Sequence, residues 1–392
     1  MSREFLSGNE AFAFGVRLAR PQVISAYPIT PQTIVVERLA EMVEDGSLTA
    51  EFVHVESEHS ALSCAMGASA VGARTFTATS SQGLLYMAEC LNYVSGGRHP
   101  VVMMNANRSI ALPWNIYGDQ RDSLALLESG WIQAYAQDAQ EALDMALLAY
   151  RVAEDPRVST PFMANLDGFH LTHTYEVVEV PEQAEADAFL PRFETENKMS
   201  ESVPKNLAFT AGPDHNTAFL YKQHEAMRRA ADVIAESEGE FAEIFGRGYT
   251  GLVETLHTED ADTILVTLGS AAALAGEVCG KLRAAGEKTG LLRIRYMRPF
   301  PAAEIVRAVA GAKVVAVLEK DISFGFEGVV FTNINSALKQ AGADVRTVNY
   351  VGGFGGRFIS ESDIARIYRE AYREAGAAAK DGQRVRFIGA TA

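Results

Sequence analysis

Short apolar runs alternate with segments of helical spacing from residue 7 to residue 105. Runs at 23–27, 52–55, 75–79 and 101–104 predict strands, and the spacing at 9–18, 34–43, 57–71 and 84–94 predicts helices. Strands and helices in this order predict a parallel sheet covered on both faces. Such sheets take ligands at the carboxyl ends of their strands. Four polar stretches directly follow strands: Tyr27-Pro28-Ile29-Thr30, Glu56-Ser57-Glu58, Thr79-Ser80-Ser81-Gln82-Gly83 and Asn105-Ala106-Asn107-Arg108. They are expected to converge on one edge. The first is the stiffest. Pro28 fixes φ before the corner, Pro31 suits a first helical turn, and Thr30 is the expected N-cap.

Beyond an irregular loop at 106–130, a strand at 131–132, a helix at 139–153 and a strand at 161–166 complete the first sheet, which closes near Val180. Residues 181–215 carry Pro and Glu with little periodicity, as an ordered linker arm would, and a helix is predicted at 221–237. A second α/β unit opens near Asp260. Its strands are predicted at 263–268, 289–296, 314–318 and 345–351, and its helices at 270–284, 301–309 and 364–373. The expected domains are 1–240 with the arm 181–215 included, 241–375, and a loosely held tail, 376–392.

Charge narrows the function classes. A formal net charge of −15 argues against nucleic acid or anionic membrane as partner. No apolar run reaches the roughly 18 residues a membrane span needs. The first residues lack the apolar core of a signal peptide, so a cytoplasmic location is expected. Cys64, Cys90 and Cys279 form no CxxC pair and read as buried reduced thiols. They cannot supply the four thiolates of an iron–sulfur cluster.

Most motif candidates read as structural. Val351-Gly352-Gly353-Phe354-Gly355-Gly356 lacks the GxGxxG spacing and reads as a turn. His170 and His173 form an HxxH pair without acidic or Cys companions, so no metal site is expected. Ser80 and Ser81 lack a GxSxG elbow. Glu58 opens an Ala-rich apolar helix. Alone it is an ordinary first-turn carboxylate; its functional reading is a carboxylate held in an apolar crevice to donate or share a proton. Arg108 is either a solvated charge or a bidentate clamp for a carboxylate.

Together these stretches resemble the 2-oxoacid:ferredoxin oxidoreductases, specifically the α subunit of the pyruvate type. The resemblance is carried by Tyr27-Pro28-Ile29-Thr30-Pro31, Glu56-Ser57-Glu58-His59-Ser60-Ala61 and Thr75-Phe76-Thr77-Ala78-Thr79-Ser80-Ser81-Gln82-Gly83. Weaker matches follow in order at Gly130-Trp131-Ile132-Gln133, Leu166-Asp167-Gly168-Phe169, Phe245-Gly246-Arg247, Arg293-Ile294-Arg295, Arg298-Pro299-Phe300-Pro301 and Ile322-Ser323-Phe324-Gly325. The resemblance implies an α/β fold: a doubly wound thiamine-diphosphate-binding domain of the pyrimidine type, then a transketolase C-terminal-like domain. It implies CoA-dependent oxidative decarboxylation of a 2-oxoacid to acyl-CoA and carbon dioxide, with electrons passed to ferredoxin or another acceptor.

The resemblance also assigns residues. Glu58 falls on the glutamate that hydrogen-bonds the pyrimidine ring nitrogen and so activates the cofactor. Thr30 and Arg108 fall on the residues that grip the substrate carboxylate. Pro28, Ile29, Thr30, Ser81 and Gln82 fall on the cofactor-binding loops. No Gly-Asp-Gly with a downstream Asn is present, so magnesium and the diphosphate are expected on a β subunit that shares the cofactor. A γ subunit and iron–sulfur subunits are expected to complete the complex. One departure concerns the loop Asp119-Gln120-Arg121-Asp122. Where pyruvate enzymes often have Asp-His, it has Asp-Gln and gains Arg121 as a further candidate for binding substrate. With Trp114 and Tyr117 in the same loop, this raises phenylglyoxylate or indolepyruvate as alternative substrates. A non-catalytic scaffold subunit is the alternative of another class.

Overall fold

Two parallel sheets carry the chain, and their central strands are buried along their whole length. The computed structural model describes residues 1–202, 204–206, 209–375 and 385–390. An edge strand, β1 (Ser2–Ser7), ends where Ser7 and Glu10 form a capping box on α1 (Gly8–Ala19). Then come β2 (Val23–Ala26), α2 (Thr33–Glu44), β3 (Glu51–His54), α3 (Glu58–Ala70), β4 (Thr75–Thr79), α4 (Ser81–Tyr86), α5 (Ala88–Gly96) and β5 (Val102–Asn107). A short α6 (Arg121–Leu124) leads to β6 (Ile132–Tyr135), α7 (Ala139–Ala153), β7 (Phe162–Asp167) and β8 (Tyr175–Val180). Strands β3-β2-β4-β5-β7-β6 lie parallel in that order, while β8 pairs with β1. The carboxyl ends of β2, β4 and β5 are therefore neighbours, as the loop pattern predicts.

Helices α8 (Gln183–Phe189) and α9 (Pro213–Phe245) follow. The second unit contains β9 (Val253–Leu256), β10 (Thr263–Leu268), α10 (Ala271–Ala284), β11 (Thr289–Ile294), β12 (Tyr296–Arg298), α11 (Ala302–Val309), β13 (Val314–Glu319), α12 (Val329–Gln340), β14 (Arg346–Val351), α13 (Glu361–Glu374) and β15 (Val385–Phe387). Its sheet runs β9-β11-β10-β13-β14-β15 with only β9 antiparallel. Among the described residues no helix is long and apolar enough to cross a membrane.

Several elements depart from the periodicity. The single helix expected at 84–94 is two helices, because one apolar stripe (Leu84, Met87, Leu91, Val94) serves both sides of the break. Helix α9 begins well before residue 221, since residues 213–222 are exposed and leave no apolar stripe to read. Inside the arm, α8 anchors Phe189 against Phe241 and Phe245. Helix α12 has no counterpart among the expected elements. Its Val329, Val330, Thr332 and Ile334 are weak helix formers, and burial of Val330, Phe331, Ile334 and Leu338 holds it. Part of the expected tail, β15, joins the edge of the second sheet; residues 376–384 and 391–392 lie outside the described residues.

The strand expected at 289–296 splits at Arg295, and β12 crosses to pair antiparallel with β6 of the first sheet. The split lies at a seam of buried charge. Glu141 takes Arg293 on one oxygen and Arg295 Nε on the other, the latter at 2.9 Å, and Arg295 also reaches Glu238 at 2.5 Å. Burial pushes the Glu141 carboxyl up, but the two guanidiniums outweigh it and its pKa lies below the ordinary value.

Candidate active site at the carboxyl edge of the first sheet

The corner after β2 is a turn. Gln32 N–H donates to the Ile29 carbonyl at 2.9 Å, and the Gln32 side chain reaches the Ala78 carbonyl at 2.8 Å. Helix α2 then starts at Thr33 with Gln32 as its cap residue and no side-chain cap bond. Two expectations are thereby corrected: Thr30 is not the N-cap, and Pro31 lies before the helix, not in its first turn. The Thr30–Pro31 peptide is cis. Thr30 is exposed, and its carbonyl accepts a hydrogen bond of 2.8 Å from Arg108 Nη1.

Glu58 is the first residue of α3, whose N-cap Ser57 accepts from Ser60 N–H at 3.2 Å. It is only 8% exposed, yet its carboxylate accepts no hydrogen bond among the described residues. It lies against α4 so closely that a Cβ on Gly83 would sit 2.7 Å from Glu58 Oε1 and 2.6 Å from Thr79 Oγ1. Thr79 Oγ1 is itself buried without a hydrogen-bond partner among the described residues. A buried carboxylate and a buried hydroxyl left open beside a glycine form a cradle with unspent hydrogen-bonding capacity. These groups fit the polar edge of an aminopyrimidine ring.

Arg108 extends from the end of β5. Besides Thr30, its Nε contacts the Asn115 carbonyl at 3.3 Å, and its guanidinium carbon lies 5.8 Å from the Trp114 ring centre. It forms no ion pair among the described residues, and Nη2 makes no hydrogen bond there. Burial lowers its pKa, against the opposing field of Asp122. Ser81 and Gln82 belong to α4, not to a loop. Ser81 takes a left-handed φ of +51° and donates through Oγ to the Ser109 carbonyl at 2.7 Å.

Arg121 is committed elsewhere. Its Nε meets Asp119 Oδ2 at 3.1 Å, Nη2 reaches the Ile110 carbonyl at 3.1 Å, and its charge lies over Phe354. Asp119 also accepts from Ser109 Oγ at 2.5 Å and from Gly355 N–H at 3.4 Å. The pair therefore docks the loop on the second domain. Tyr117 packs on Phe169 and under Gly356, whereas Trp114, 69% exposed, attends Arg108. Gly353, Gly355 and Gly356 have positive φ and shape this docking turn. His173 bonds Thr172 Oγ1 at 2.8 Å and stacks on Phe169, and no described His, Cys, Asp or Glu residues group to hold a metal.

Periodicity gives no sign of Asp122. Fully buried, it accepts from Ser81 N–H at 3.1 Å, Arg108 N–H at 3.0 Å, Ser123 N–H at 2.8 Å, Asn107 Nδ2 at 2.7 Å and Asn105 Nδ2 at 3.3 Å. Burial pushes its carboxyl up to about 6, although the Asn107 and Arg108 bonds oppose the rise. The available signal was Asn105 and Asn107, two amides on one face of a strand end, which need a shared acceptor.

Comparison with known proteins identifies the family. Residues 15–239 match the family model described as pyruvate flavodoxin/ferredoxin oxidoreductase, thiamine diphosphate-binding, and residues 261–364 match pyruvate:ferredoxin oxidoreductase core domain II. The chain is 46% identical to pyruvate synthase subunit PorA of Methanothermobacter thermautotrophicus, covering 94% of this chain and 95% of that one. It is 44% identical to PorA of Pyrococcus furiosus (97% and 95%) and 41% identical to ketoisovalerate oxidoreductase subunit VorA of Pyrococcus abyssi (93% and 92%). The aryl-oxoacid alternative, phenylglyoxylate above all, gains no support from these relatives. The fold is shared with a solved 2-oxoglutarate:ferredoxin oxidoreductase of Magnetococcus marinus at a TM-score of 0.72 and 19% identity, covering 94% of this chain and 65% of that one. A solved split-gene transketolase aligns at a TM-score of 0.54 and 13% identity, covering 94% and 99%. The chain belongs to the 2-oxoacid:ferredoxin oxidoreductase family, as a thiamine-diphosphate-dependent α subunit of the pyruvate synthase and ketoisovalerate oxidoreductase type.

Proposed function

We propose that this subunit binds the pyrimidine end of thiamine diphosphate and the carboxylate of pyruvate, within a complex that forms acetyl-CoA, carbon dioxide and reduced ferredoxin. The carrying observation is the open cradle of Glu58, Thr79 and Gly83 on the same sheet edge as Arg108, an arginine that pairs with no carboxylate among the described residues. In this reading the bound cofactor supplies the carbanion chemistry. Glu58 holds and moves a proton at its carboxylate toward the pyrimidine ring nitrogen, and burial among Ala61, Leu62 and Ala65 keeps water from competing. Pro28, Ile29, Ser81 and Gln82 line the cofactor's approach. Arg108, through its unused Nη2, and the exposed Thr30 hydroxyl take the oxoacid carboxylate. Trp114 over the guanidinium limits solvent access to that contact. Arg121, engaged by Asp119, takes a smaller part in substrate binding than sequence implies.

A β subunit carrying magnesium and the diphosphate site, a γ subunit and iron–sulfur subunits complete the enzyme in this reading. The three thiols of this chain are free, which suits a reducing, cytoplasmic setting. Ketoisovalerate is the second substrate reading, favoured by the VorA relative. Turnover of the assembled complex with pyruvate, ketoisovalerate and 2-oxoglutarate, each with CoA, tests the choice; a higher kcat/KM for ketoisovalerate overturns pyruvate. Glu58→Ala is expected to lower kcat by about 10²–10⁴-fold. Wild-type turnover in that variant would leave a scaffold role as the better account.

A further inference from the structure

Among the described residues Arg108 has no anionic partner, yet a carboxylate sits directly behind it. Asp122 does not touch the Arg108 guanidinium. It holds the Arg108 backbone N–H at 3.0 Å, while the side chain is steered by two neutral carbonyls, those of Thr30 and Asn115. The same carboxylate holds Ser81 N–H, where the backbone is left-handed, and the amides of Asn105 and Asn107. One side chain thus fixes the ends of β4 and β5, and through Arg108 the turn after β2. An ion pair between Asp122 and the guanidinium would occupy the fork that a substrate carboxylate needs. Contact through the backbone supplies a compensating field without occupying it.

We propose that Asp122 is a positioning residue for the oxoacid-binding fork of Arg108, acting from behind the site without contacting substrate. The proposal rests on the reading of Arg108 as the carboxylate clamp. Positional errors of about 1 Å at a reacting group cost on the order of 100-fold in rate, which sets the expected scale.

The test is a double-mutant cycle in the assembled complex, with kcat/KM for pyruvate as readout. Asp122→Asn and Arg108→Lys are each expected to lower kcat/KM about 100-fold, and the double variant to be no worse than Arg108→Lys alone. The KM for pyruvate should rise in Asp122→Asn, whereas general loss of folding lowers only the active fraction, and with it kcat, and leaves KM unchanged. Asn107→Ala, which removes one donor to the same carboxylate, serves if Asp122→Asn fails to assemble. It is expected to lose about tenfold, again without adding to Arg108→Lys. Losses that multiply, or a fall in kcat with the KM for pyruvate unchanged, overturn the positioning role alone. Wild-type kcat/KM in Arg108→Lys overturns the clamp reading, and this proposal with it.

Discussion

Buried charge is arranged in opposite ways at the domain seam and at the sheet edge. At the seam, Glu141 and Glu238 meet Arg293 and Arg295, and each of these four groups has an opposite charge in contact. At the edge, among the described residues, Glu58 accepts no hydrogen bond, Arg108 donates only to carbonyls, and Asp122 accepts only from neutral donors. The seam is built for cohesion: its ions neutralise one another and hold β12 against the first sheet. The edge leaves ionic capacity unused among the described residues, as the proposed ligands require. The two carboxyl groups register the contrast, one drawn below its usual range by arginines and the other raised to about 6 by burial.

The sharpest way to break the comparison is at the seam. Glu141→Ala leaves Arg293 and Arg295 buried without their shared partner and is expected to destabilise the protein by about 3–5 kcal/mol, read as a lower urea midpoint. An unchanged midpoint would mean that solvent or other groups already compensate the arginines. A pH series separates the regions next. Because the Glu141 pKa is lowered on folding, its stabilisation is present above its unfolded value of about 4.3 and lost as pH falls through the folded one. Because the Asp122 pKa is raised, its contribution is present below its unfolded value of about 3.9 and lost as pH rises through about 6. Asp122→Asn should therefore flatten the dependence of stability on pH between about 4 and 6, and leave the acid limb below it in place. The smallest expected effect belongs to Thr30→Val. No cap bond is lost, so stability should change by less than about 0.5 kcal/mol, while the KM for the oxoacid rises. A loss near 1 kcal/mol, the usual cost of a missing cap, would restore the capping role.

The fold class was legible because buried parallel strands write continuous apolar runs and amphipathic helices write a period near 3.6. The run at 75–79 and the helix at 139–153 match the structure at both ends. Helix α12 was not legible, because its β-branched residues are held helical by packing rather than by preference. Thr30, Glu58 and Arg108 stood out as candidates because they lie in the polar stretches that follow strands. Their use of the backbone was not: Thr30 presents a carbonyl to Arg108, and carbonyls carry no signature in sequence. Arg121 is the reverse case. A cation in the right loop reads as a ligand for substrate, and the structure adds an ion pair with Asp119, two residues away, that periodicity does not show.

By itself, then, the sequence determined most of the parallel strands and amphipathic helices of the two units and which side chains the carboxyl edge has to offer. Those properties depend on local periodicity and residue chemistry. Tertiary structure alone decided which of those groups remain unpaired. Pairing is a matter of distance between segments far apart in the chain: Asp122 to Ser81 and Arg108, Arg293 and Arg295 to Glu141 and Glu238, Gly83 to Glu58. The same residue types make cohesion where folding brings opposite charges together and leave an edge with unpaired charge where it keeps them apart.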